Sequence, residues 1–93
     1  MSLRVLAGRL ELLSSGIVCQ LHDGVTTVIC TILRQALRDL GDHNGLTVPE
    51  EAVFSQLLPE IERLASKKFY AGRVDENGEL SIGSADLLRY GVG

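Results

Sequence analysis

The sequence predicts an α+β fold, with antiparallel β-hairpins forming a small sheet that is covered on one face by two helices, and a short C-terminal helix. Three observations carry this reading. Two β-rich runs flank Asp23-Gly24, two stretches of helical apolar spacing follow, and a second glycine-containing turn at residues 76–78 separates further short runs. Strands and helices are grouped and do not alternate, which argues against a parallel βαβ design.

The first hairpin spans Ile17 to His22 and Val25 to Ile32. Asp23-Gly24 suits a type I′ turn, and a two-residue loop sets His22 opposite Val25, Cys19 opposite Val28 and Ile17 opposite Cys30. The pleat then gathers Ile17, Cys19, Leu21, Val28, Cys30 and Ile32 on one face, which is assigned to the core. Upstream, Arg9 to Leu13 alternates and Ser14-Ser15-Gly16 is turn-like, which points to a further strand beside the hairpin.

After Thr31, read as an N-cap, Leu33, Ala36, Leu37 and Leu40 recur at helical spacing, with Gly41 as the terminator. Thr47-Val48-Pro49-Glu50 opens a second helix with capping-box spacing. Its stripe is Phe54, Leu57, Leu58, Ile61, Leu64, Ala65 and Lys68, and Pro59 within it predicts a kink or break near Ser55 to Leu58. Gly72 to Val74 and Glu79 to Ile82 then flank Glu76-Asn77-Gly78; a three-residue loop with Gly78 left-handed would set Val74 opposite Leu80. Ser84 caps a last short helix, Ala85 to Tyr90.

The chain of 93 residues makes one domain over 1–93, with 1–8 and 91–93 expected to fray. A chain this small has a limited core, yet 45% of its residues are apolar and ten are glycine, so surplus apolar surface is expected. Nine Lys and Arg against twelve Asp and Glu give a net charge of −3, which disfavours general nucleic-acid binding. Arg9 and Glu11 interrupt the start before a secretory apolar stretch is complete, and no run approaches a membrane span. Two cysteines, without CxxC spacing, read as reduced thiols, and the expected location is cytoplasmic.

The order Asp23-Gly24, Val28-x-Cys30-x-Ile32, Ala36-Leu37, Ile61-Glu62-x-x-Ala65-Ser66-Lys67-Lys68-Phe69-Tyr70-Ala71-Gly72, Glu76-Asn77-Gly78-Glu79-Leu80-Ser81-Ile82 and Ser84-Ala85-Asp86 resembles the small bacterial domain-of-unknown-function family numbered fourteen eighty-eight. The resemblance covers roughly residues 17–87. It implies a compact α+β domain of bacterial origin and no particular chemistry.

Among chemical groups, His22, Asp23, Asp39, Asp42 and His43 read as strand, turn and helix-end residues, and a metal site is not expected of them. Cys19 and Cys30, diagonal in the expected register, pack as small hydrophobes. Ser84-x-Asp86 reads as a cap, and neither GxGxxG nor GxxxxGK[ST] occurs. The best partner-binding candidates are Arg63, Lys67, Lys68 and Arg73 with the aromatic Tyr70, although cations near a helix end also satisfy its dipole. Arg34 and Arg38 lie near in the expected fold. The sequence thus favours a non-catalytic, cofactor-free interaction module, a homodimer or the binder of another protein through an apolar edge around Leu10 to Leu13. A nucleic-acid accessory factor using the basic cluster is the alternative.

Overall fold

Residues Ile17 to Ile32 do fold back on themselves, because alternate positions in both arms are apolar and lose water together on one side of the pleat. The computed structural model describes residues 3–6 and 10–90. Its elements are β1 (Arg4–Val5), β2 (Glu11–Leu13), β3 (Gly16–His22), β4 (Thr27–Leu33), α1 (Arg34–His43), α2 (Glu50–Gln56), α3 (Leu58–Tyr70), β5 (Leu80–Ile82) and α4 (Ser84–Arg89). The class is α+β, with the strands in one mixed sheet ordered β1-β3-β4-β5 and β2 also on β3. Of the ends expected to fray, residues 1, 2, 7, 8 and 91–93 lie outside the described residues. Leu3, by contrast, is fully buried and β1 pairs with β3, so that part of the N-terminus is built into the fold. The expected upstream strand is present as β2, with Arg9 outside the described residues.

The β3–β4 register is two residues away from the one expected. His22 pairs with Thr27, Cys19 with Cys30 and Ile17 with Ile32. The loop is wider because Asp23 Oδ1 accepts the N–H groups of Val25 (2.9 Å) and Thr26 (2.8 Å), which draws Val25 out of the strand. A slip of two preserves the faces, so Ile17, Cys19, Leu21, Val28, Cys30 and Ile32 are all buried as the pleat required.

β4 also runs further than expected. Thr31 stays in the ladder opposite Val18, and α1 starts at Arg34 without a side-chain cap. Gly41 is buried inside α1 and does not end it; a Cβ there would stand 3.0 Å from Val53 Cγ2, so this glycine lets α1 and α2 approach closely. At the second helix, Pro49 rather than Thr47 occupies the N-cap position. The break at Pro59 occurs as predicted: α2 stops at Gln56, Leu57 turns, and the proline falls in the first turn of α3, where a missing N–H removes no bond.

The second hairpin does not form. Its turn is right locally, since Gly78 has φ 77° and Asp75 N–H bonds to Glu79 O at 2.9 Å. Residues 72–74 are nevertheless not a strand, and Leu80–Ile82 pairs parallel with β4, Cys30 with Leu80 and Ile32 with Ile82. An isolated hairpin is marginal in water, whereas joining the existing sheet gives β5 a full ladder and buries Leu80 and Ile82 to 1% exposure each. Gly83, not Ser84, is the N-cap residue of α4, its N–H bonding Asp86 Oδ2 at 2.9 Å. The core lies between one face of the sheet and the helices, which contribute Leu37, Leu40, Phe54, Ile61, Leu64 and Leu87.

Candidate functional site

The expected basic cluster is divided by the geometry of α3. Arg63, Lys67 and Tyr70 follow one another at helical spacing and line a hollow of about 650 Å³ together with Leu3, Pro59 and Glu62. Lys68 is turned about a hundred degrees away from Lys67, into the apolar stripe. There its Nζ lies 3.0 Å from Asp86 Oδ2 and donates to Ser81 O. Arg63 is paired with Glu60 and donates to Tyr90 O at 3.2 Å, while Tyr70 donates its hydroxyl to Asp23 Oδ2 at 2.8 Å. Arg73 is exposed in the loop after α3 and lines none of these contacts. Arg34 and Arg38 sit elsewhere, sharing Glu50 at 3.0 and 3.3 Å. Arg4 contributes to the wall of the hollow, but its pairing with His22 sends its side chain from the opposite sheet face. No continuous cationic stripe results among the described residues.

The other chemical groups are placed by structure in the same way. A smaller hollow of about 240 Å³ brings together Asp39, His43 and Ser84 with Leu87 and Leu88. Gln35 Nε2 donates to Asp39 Oδ1 at 2.9 Å, while Ser84 Oγ is buried and has no hydrogen-bond partner among the described residues. A serine nucleophile needs a base hydrogen-bonded to its hydroxyl; His43 lines the same hollow but makes no such bond to Ser84 Oγ in this structure. His22 is on the sheet face opposite the cysteines, as the pleat predicts, and no group of three His, Cys, Asp or Glu among the described residues could hold a metal ion. Cys19 and Cys30 are direct cross-strand neighbours rather than diagonal ones, both free and fully buried. Contact with Cys19, then burial, raises the Cys30 thiol well above the ordinary range.

Among the described residues, one sheet face and one sheet edge are left uncovered. The uncovered face carries Val18, Gln20 and His22 on β3 and Thr27, Ile29, Thr31 and Leu33 on β4. The pattern Thr-x-Ile-x-Thr-x-Leu in β4 was its sequence signal, masked by the stronger apolar alternation of the core face. Along the edge, Leu10, Leu12 and Leu13 are 49%, 62% and 49% exposed, and Leu13 is linked across Gly16 to Leu33 by the ladder.

The edges differ in how they are finished. Leu6 N–H bonds Gln20 O at 2.8 Å, so the even-numbered residues of β3 face β1 and β2, and alternate residues of those strands point outward. On β1 the outward N–H groups of Leu3 and Val5 are taken by Ser66 Oγ (2.9 Å) and Glu62 Oε2 (2.8 Å), one turn apart on α3. At β5, Lys68 takes the Ser81 carbonyl. On β2 the same alternation turns the N–H and C=O of Leu12 outward, and no side chain of the described residues covers them.

The chain matches no family model, no curated protein and no solved structure. No helix among the described residues is long and apolar enough to cross a membrane.

Proposed function

We propose that the chain is a small non-catalytic interaction module that self-associates as a homodimer. The observation that carries this reading is the edge at β2, where three leucines are 49–62% exposed beside an unfinished ladder while the other described edges are capped by side chains. A cytoplasmic setting belongs to the same reading and is supported by two free, buried thiols. A bacterial origin is part of the same reading and rests on the resemblance of residues 17–87 alone.

The nucleic-acid alternative has less support. Lys68 and Arg63 are engaged with Asp86 and Glu60, which leaves Lys67, Tyr70 and Arg73 without the continuous basic surface that phosphate binding favours. Sedimentation velocity on the intact chain tests the proposal: a reversible dimer is expected at micromolar concentration, and a strictly monomeric species up to roughly 100 µM overturns it.

A further inference from the structure

We infer that the dimer forms strand to strand, β2 of one copy pairing antiparallel with β2 of a second copy across a two-fold axis at Leu12, so that the two sheets become one. This rests on the self-association proposed above and specifies its surface. In an antiparallel ladder, a residue whose N–H and C=O both point outward exchanges two hydrogen bonds with the residue opposite. Leu12 is such a residue, and a two-fold axis places it opposite its own copy, so one outward pair of groups satisfies both chains. In that register Glu11 stands opposite Leu13, and no two like charges of the strands face each other.

The uncovered sheet face is a poorer candidate. Gln20, His22, Thr27 and Thr31 interrupt its apolar residues, as on an ordinary solvated antiparallel face. The edge is more apolar for its size. With Leu10, Leu12 and Leu13 exposed by 49%, 62% and 49%, their side chains present roughly 300 Å² in each copy before backbone and flanking atoms are added. Two copies therefore bring roughly 600 Å² of leucine surface together, which reaches the lower limit of about 1,000 Å² for a specific interface only with backbone and flanking atoms included, and an interface at that limit belongs to a weak, micromolar dimer.

Sedimentation and amide exchange on the full chain test this with three variants. Leu12→Lys places like charges directly opposite at the axis, and Leu12→Pro removes the N–H that would cross it without removing a bond within the chain. Ile29→Lys charges the uncovered face and leaves the edge alone. The expected result is a dimer dissociation constant raised at least about tenfold by both Leu12 variants and unchanged by Ile29→Lys. Circular dichroism melts should stay close to wild type for Leu12→Lys, and the wild-type Leu12 amide should lose its protection on dilution. A dimer that survives both Leu12 changes overturns strand pairing, and if Ile29→Lys then breaks it, self-association stands through the face. A monomeric wild-type chain overturns both readings together.

Discussion

Lys68 and Asp86 form an ion pair at 3.0 Å with side chains only 17% and 13% exposed, and it fastens the end of α3 to the start of α4. The same Asp86 oxygen accepts the Gly83 N–H, so one carboxylate both caps α4 and neutralises the only cation of the α3 apolar stripe. Asp86→Ala should therefore lower stability by about 2 to 3 kcal/mol, combining a lost cap with a largely buried cation left without its partner. Urea denaturation measures it. Lys68→Met, which removes the charge and keeps the apolar stem, should lose less, and equal losses would mean the cap is energetically silent.

Gly16 and Gly24 both have positive φ, 153° and 97°, but their surroundings differ. A Cβ at Gly16 would stand 2.1 Å from the Ile32 carbonyl oxygen, whereas one at Gly24 meets nothing within 4 Å. The neighbour at Gly16 is backbone and cannot move without opening the β3–β4 ladder. Gly16→Ala should cost more than about 3 kcal/mol and Gly24→Ala about 1 kcal/mol. Comparable melting temperatures for the two variants would contradict the packing described for Gly16.

Asp23 predicts an acid limb in the stability profile. The N–H groups of Thr26 and Val25, and then the Tyr70 hydroxyl, lower its carboxyl to about 2. A group depressed by folding adds stability above its unfolded value of 3.8 and loses that contribution as pH falls through about 2. Tyr70 has the opposite sign: its hydroxyl, raised by Asp23, contributes below its unfolded value of 10.0, and the contribution disappears as pH rises through the folded value. Asp23→Asn should flatten the acid limb and return the tyrosine toward its ordinary titration, both readable by NMR titration.

Thiol labelling should separate the native from the unfolded chain completely. Cys19 and Cys30 are fully buried, and contact with Cys19 and burial keep Cys30 protonated at neutral pH. A disulfide-exchange reagent should modify neither thiol under native conditions within the time that modifies both in guanidinium. Rapid native labelling of either would mean that β3 and β4 separate readily.

Much of the fold was legible where information is local. The alternation of Ile17, Cys19 and Leu21 against Val28, Cys30 and Ile32 identified the core face, and Pro59 located the break between α2 and α3. Register was less legible because the Asp23 side chain, not the dipeptide's backbone preference, chose the loop width. The parallel place of Leu80–Ile82 lies in no local pattern, since it is set by the free edge of a strand fifty residues earlier at Cys30. Of the candidate surface, the Leu10 to Leu13 edge could be read from sequence, and the split of Lys67 from Lys68 was implicit in Lys68 sharing the stripe of Ile61 and Leu64. The finishing of β1 by Glu62 and Ser66 was not, because it joins residues 57 and 63 positions apart.

The parallel seat of Leu80 beside Cys30 also fixes a schedule for a chain emerging from a ribosome. At about 5 to 20 residues per second, the fifty residues between them take roughly 3 to 10 s to synthesise. Once Val28–Leu33 has left the exit tunnel, its outer flank is a bare template for any extended neighbour until the C-terminal segment arrives to seal it.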